Sequence, residues 1–147
     1  MATKLEQDLV NMFIDIMKRK AREDKKSMHF VQLETGTTAI GVPDLLMFFD
    51  NQMYWIECKR CKIPMSSNVT SVPTFSGSIV FRPGQVRFLH RLLDCGEKVF
   101  VLVLSEGCDC CVVPIKEIPL TCEGAFKLHH KGVEYTEAYN YIKGLLS

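Results

Sequence analysis

Residues 98–104, KVFVLVL, constrain the fold more than any other part of the chain. After the first lysine every position is apolar, and most are β-branched or aromatic. A strand that alternates polar and apolar can leave one face in water. This one cannot, so the pattern predicts a central strand buried on both faces. A sheet built around it needs covering layers, and the rest of the chain offers helices for them. Leu5, Leu9, Met12, Phe13 and Ile16 recur at helical spacing, which predicts a helix over residues 3 to about 22. Thr3 and Glu6 have capping-box spacing at its start. Pro83 predicts the first turn of a second helix, with Val86, Leu89, Leu92 and Leu93 as its apolar stripe and Gly96 as its stop. Residues 136–146 read as a third.

The remaining strands are shorter. Residues 28–33, MHFVQL, alternate loosely. Residues 44–49, DLLMFF, and 53–59, MYWIECK, flank the polar Asp50-Asn51-Gln52, a hairpin pattern that we read with Asn51 and Gln52 as the turn. A further short strand is expected near Val112 and Val113. Residues 65–78 are rich in Ser, Thr, Pro and Gly and read as a long loop, of a length that tends to be either functional or disordered. The order of elements predicts a mixed α/β fold, a sheet flanked by helices.

Composition sets limits on this picture. A length of 147 residues, with 47% hydrophobic and 24% charged, fits one domain over 1–147 that builds its core without disulfides or structural metal. It excludes a mainly disordered chain or a coiled coil. No apolar run reaches membrane-spanning length. The start, MATKLEQDLV, has no apolar stretch after a basic opening, so no secretory signal is expected. Seven cysteines, an odd number, then point to free thiols in a reducing compartment, cytoplasmic or nuclear, or the host cytoplasm for a viral chain. The net charge of +1 names no partner, but the basic residues cluster. Lys18, Arg19, Lys20, Arg22, Lys25 and Lys26 form one group, Lys59, Arg60 and Lys62 a second, and Arg82, Arg87 and Arg91 a third. Such clusters are either a nucleic-acid face or the solvated side of a helix.

Chemistry concentrates in Gly41-Val42-Pro43-Asp44 and Glu57-Cys58-Lys59. Glu57 and Lys59 stand two apart on one strand and so share a face. The expected hairpin register sets Asp44 across from Lys59 on that face. Charges at the end of a buried strand are costly unless paired or bound to metal. Two adjoining carboxylates repel, and one is pushed toward protonation. Mg²⁺ removes that conflict and needs only one or two carboxylates beside water and phosphate. Asp44 and Glu57 supply them, and the carbonyl of Cys58 offers a third oxygen. The competing reading is a salt-bridged cluster at a sheet end.

Pro43-Asp44 followed by Glu57-Cys58-Lys59 resembles the signature of the PD-(D/E)XK nucleases. The wider pattern is similar to the VRR-NUC branch and to the Holliday-junction resolvases. It comprises a glutamate in the first helix (Glu6), Gly-x-Pro-Asp (Gly41 to Asp44), Glu-x-Lys (Glu57 to Lys59) and a glutamine opening the next helix (Gln85). The resemblance covers residues 3 to 105 and leaves 106–147 as an extension without a counterpart. It implies a restriction-endonuclease-like fold and a Mg²⁺- or Mn²⁺-dependent DNA endonuclease. In that reading Asp44 and Glu57 are metal ligands, Lys59 is the catalytic lysine and Gln85 acts near the scissile phosphate. Glu6 either approaches the metal or simply caps its helix. Arg60, Lys62, Arg82 and Arg87 are the expected DNA contacts. The absence of a separate recognition module favours reading DNA shape, hence branched or junction substrates. Cutting both strands of a symmetric junction implies a homodimer. The alternatives are a nickase or exonuclease of repair or restriction, and a non-catalytic nucleic-acid binding module on the same fold.

The cysteines fit zinc poorly. Cys108, Cys110 and Cys111 are too close for the usual C-x₂-C pair. Some relatives of the nuclease fold that this chain resembles hold an iron–sulfur cluster through four cysteines flanking the core, and with no cysteine before Asp44 that arrangement is not matched. Cys58 is expected to point away from Glu57 into the core. His129 and His130 read as surface or loop, and His29 as structural.

Overall fold

The computed structural model describes residues 4–33, 41–61 and 74–146. The first helix, α1, spans Lys4–Glu23 and is followed by strand β1, Met28–Gln32. Thr3, one half of the expected capping box, lies outside the described residues. Strands β2 (Leu45–Phe49) and β3 (Gln52–Arg60) form the expected hairpin, but its turn is Asp50-Asn51. Both residues have positive φ, 52° and 62°. A two-residue hairpin turn of this hand needs positive φ at both positions, and Asp and Asn tolerate it where Gln does not. Phe49 therefore pairs with Gln52 and Leu45 with Ile56. Asp44, one step further, stands by Glu57 and not across from Lys59. The correction moves the partner by two residues, so the face is unchanged.

Two short strands follow, β4 (Thr74–Phe75) and β5 (Ser78–Phe81). Residues 65–73 of the expected long loop lie outside the described residues. Its last part is not loop, because the buried side chain of Phe75 holds that segment in the protein. Helix α2 spans Gln85–Asp94. Pro83 precedes it, and Gly84 is the N-cap with φ 88°; the Gly84 carbonyl accepts the Phe88 N–H at 3.0 Å. The helix stops at Gly96 as expected. Glu97 N–H donates to Leu92 O and Gly96 N–H to Leu93 O, a Schellman closure. Its buried stripe is narrower than predicted, and Leu93 is exposed.

Strand β6 is Lys98–Leu104, with residues 100–104 all buried. Strand β7 (Asp109–Pro114) runs into a 3₁₀ turn at Ile115–Glu117. Strands β8 (Gly124–Lys127), β9 (His130–Lys131) and β10 (Val133–Glu134) precede α3, Tyr135–Leu146. The central sheet has the order β1-β2-β3-β6-β7-β10. Only the β3–β6 pair is parallel. A parallel pair needs a crossover, and the segment carrying α2 provides it.

The sheet has two apolar faces, which is why β6 is apolar throughout. Leu45, Met47, Ile56, Leu102 and Leu104 face α1 and α3, where they meet Phe13, Met17, Tyr135 and Ile142. Phe13 and Tyr135 pack edge to face at 5.9 Å, joining the two helices. Val101, Val103, Cys111 and Val113 face α2 and β5, where they meet Val86, Leu89, Ile79 and Phe81. Burying each such side chain contributes about 2 kcal/mol. Residues 106–146 belong to both layers: β7 and β10 extend the sheet, and α3 covers it.

Strands β4 and β5 pair with β9 and β8 in one unbroken antiparallel register. Thr74 faces Lys131, Phe75 faces His130, and the same register carries on from Ser78–Lys127 to Phe81–Gly124. The Leu128 N–H donates to Gly77 O at 2.7 Å across the gap between them. The two short sheets are thus one ribbon. Gly132 seats its end, because a Cβ there would meet the Phe75 ring and the Cys110 carbonyl.

Candidate active site

The face of β3 toward α2 carries Glu57 and Lys59, and their β6 neighbours are Val101 and Val103. Apolar neighbours leave the two charges to be met by other elements. Asp44 comes from the segment entering β2, and its Oδ2 accepts the Cys58 N–H at 2.9 Å. Gly41, with φ +91°, lets that segment press on the start of α2: a Cβ there would lie 3.0 Å from Gly84 O and 3.1 Å from Phe88 Cβ. The same contact delivers Gln85, the first residue of α2. Its side chain is 2% exposed. Oε1 accepts from Lys59 Nζ and from the Arg82 N–H, both at 2.8 Å. Nε2 points to Glu57 Oε1 at 3.5 Å, a long contact. One buried amide thus faces both the carboxylate and the ammonium.

Glu57 is also 2% exposed. Burial, and then the Asp44 charge, pushes its pKa up to about 9, against the pull of Lys59. Its Oε2 is buried and accepts from no donor among the described residues; the Asp44 carboxylate beside Glu57 can only accept, and that contact raises the Glu57 pKa further. Burial also lowers the Lys59 pKa, although the Glu57 and Asp44 charges work the other way. The Lys59 ammonium sits 5.0 Å from the centre of the Phe81 ring, a cation–π contact from the ribbon. Phe81 carries no assignment in the sequence because it lies in the short stretch between the loop over 65–78 and the helix opened by Pro83. The alternation of Ser78-Ile79-Val80-Phe81 was the available signal.

The structure therefore brings Asp44, Glu57, Lys59 and Gln85 together. The Cys58 thiol turns to the opposite face, against the α1 layer, as expected. Glu6 is half-buried in the first turn of α1, and its charge reaches Cys58 and Lys59. Arg82 is exposed, follows β5 directly, and its charge reaches Glu57 and Lys59. Arg87 is exposed on α2, away from these contacts. Arg60 is ion-paired with Glu106 at 3.5 Å. Lys62 lies outside the described residues. His29 is exposed, and His130 contacts Glu117 at 3.4 Å.

Among the described residues no three His, Cys, Asp or Glu side chains converge as a metal cage. What the site offers is two carboxylates, one with an orphaned buried oxygen. That donor set suits a hard cation retaining most of its water, such as Mg²⁺, and not a closed zinc site.

No family model matches this chain, and no curated protein matches it. Among solved structures, it is similar to a Holliday junction resolvase from the archaeal hyperthermophile Archaeoglobus fulgidus. The two share 14% identity with a TM-score of 0.54, over 95% of this chain and 98% of the other. A bacterial homing endonuclease aligns at 15% identity and a TM-score of 0.46, over 99% of this chain and 95% of the other. The mixed sheet, with α1 and α3 on one face and α2 on the other, is thus a restriction-endonuclease-like fold.

Proposed function

We propose that this chain is a metal-dependent DNA endonuclease of the PD-(D/E)XK type, resembling the VRR-NUC branch, that hydrolyses phosphodiester bonds in branched DNA. The observation that carries the reading is the buried Glu57 carboxylate, with one orphaned oxygen, beside Asp44 and on the face of Lys59. A salt-bridged structural cluster would pair its charges. Here burial holds Glu57 toward its neutral form and lowers the Lys59 pKa, an arrangement that costs stability. Perturbed groups of this kind mark sites of chemistry.

Asp44 and Glu57 would hold the metal, with the Cys58 carbonyl as a further oxygen and Glu6 as an outer acidic group. When bound, the cation lowers the pKa of water and polarises the phosphate. Lys59 places its ammonium over the reacting phosphate, where negative charge grows in the transition state. The same ammonium can hold the attacking water by donating a hydrogen bond to it. Gln85 fixes where that nitrogen sits. Hydrolysis adds water to phosphorus, breaks one P–O bond and leaves the proton on the departing oxygen. Arg82 stands at the mouth of the site for a flanking phosphate. A resolvase of this kind acts as a homodimer, one site for each strand.

The test is cleavage of labelled four-way junction, linear duplex and single strand, in Mg²⁺, Mn²⁺ or EDTA, by wild type and Lys59→Ala. Metal-dependent cutting of the junction alone, lost in the variant, supports the whole reading. Cutting of all three substrates keeps the chemistry and removes the junction preference. Binding without cutting in any metal overturns the enzyme reading in favour of a nucleic-acid binding module.

A further inference from the structure

The ribbon formed by β4–β5 and β8–β9 alternates strictly between an inner and an outer face. On one strand Phe75, Ile79 and Phe81 are buried, while Thr74, Ser76, Ser78 and Val80 are exposed. On the other, Leu128 is buried, Phe126 and His130 are half-buried, and Ala125, Lys127, His129 and Lys131 are exposed. Eight residues of strand give a face about 26 Å long. Its outward groups are three hydroxyls and Val80 along one strand, and Ala125, two lysines and His129 along the other. Glu123, the nearest exposed acid on this strand, lies beyond the paired residues. Among the described residues neither Lys127 nor Lys131 is ion-paired.

This face leads to the site. The residue after β5 is Arg82, whose N–H binds Gln85 and whose charge reaches Glu57 and Lys59. Phe81, beside it, supports the Lys59 ammonium from the inner face. A linear polyanion lying along the ribbon would run from Lys131 past Lys127 and Arg82 to the carboxylate pair. An isolated loop lysine would not set such a direction.

We propose that the outer face of this ribbon is a backbone-binding track for double-helical DNA, with Lys127 and Lys131 each neutralising a phosphate on one arm of the substrate. The inference rests on the nuclease reading above and adds the part of the protein that holds the flanking duplex. A two-stranded ribbon is of a size to lie against or within a DNA groove. The outward Ser76 and Ser78 hydroxyls add hydrogen bonds to phosphate oxygens, which position the duplex without reading its sequence.

The experiment measures binding of labelled four-way junction and linear duplex by anisotropy, in EDTA, from 50 to 300 mM NaCl. It compares wild type, the double variant Lys127→Ala/Lys131→Ala, and the charge-matched control Lys18→Ala/Lys25→Ala on the far side of the sheet. Each lost phosphate contact removes about 0.9 from the salt slope, or roughly an eightfold loss of affinity at 0.1 M salt. The ribbon variant is expected to bind about 60-fold more weakly, with a slope shallower by about 1.8. The control changes little. An unchanged affinity and slope in the ribbon variant overturns the inference while leaving the nuclease reading intact. Equal weakening in both double variants overturns it too, because net charge then explains the effect. Wild type that neither binds nor cuts any DNA removes the nuclease reading and this inference with it.

Discussion

Replacing Glu57 by glutamine is expected to stabilise the metal-free protein. In the unfolded chain Glu57 ionises near the ordinary value of 4.5, whereas in the fold its pKa is pushed up to about 9. The folded pKa is the higher one. The favourable contribution is therefore complete below about pH 4.5 and is lost as pH rises through about 9. Each pH unit between those limits costs about 1.4 kcal/mol, so at pH 7 the wild type has lost about 3 kcal/mol. Glutamine does not ionise and loses none of this. Its amide also gives Asp44 a donor and leaves an oxygen for Gln85. The expected result in EDTA is equal stability near pH 4.5 and an advantage for Glu57→Gln that widens with pH. At pH 7 it reaches about 6–10 °C in melting temperature for a chain of this size. Millimolar Mg²⁺ should close the gap by raising only the wild type, since ligand binding to the folded state stabilises it. If instead an ionised Glu57 forms a working ion pair with Lys59, glutamine would leave a buried ammonium unpaired and lower stability. A variant less stable than wild type at pH 8, or a difference that does not vary with pH, refutes the reasoning.

Two further outcomes follow from the same contacts. Binding of Mg²⁺ requires both carboxylates ionised, so at pH 7 it should release close to one proton per cation. Calorimetry in two buffers of different ionisation heat counts that proton, and Asp44→Asn abolishes both heat and proton. Gln85→Ala removes the acceptor of the Lys59 ammonium and should slow single-turnover cleavage about 10- to 100-fold with unchanged DNA affinity; a loss confined to affinity would contradict its positioning role.

Much of this arrangement is legible in the sequence, for identifiable reasons. Strand β6 is plain because seven residues without alternation fit only a doubly covered strand. Asp44, Glu57 and Lys59 could be placed on one face because the two candidate turns differ by an even shift of register. The register itself is less legible. The segment Asp50-Asn51-Gln52 admits two turns, and the choice lies in which residues tolerate positive φ. The start of α2 was set too early because Pro83 fits a first turn, whereas Gly84 takes the left-handed conformation and caps the helix. The ribbon was illegible for another reason. Its strands are short and lie on either side of α2, β6 and β7, so that, although Ser78 to Phe81 alternates, no local pattern records which strand it pairs with. Gln85 was placed by resemblance, and its two contacts emerge only when α2 is laid on β3.

The turn at Asp50-Asn51 has a consequence for how the site comes into being. A tight hairpin closes in microseconds, and it brings Asp44 beside Glu57 with only the hairpin between them. Lys59 meets Gln85 across a separation of 26 residues, once α2 has crossed back over the sheet. The parallel pairing with β6 closes a longer loop still, and such non-local contacts form late. The folding chain thus gathers its two like charges early and the groups that settle them late, so the conflict within the finished site is also the first one the chain meets.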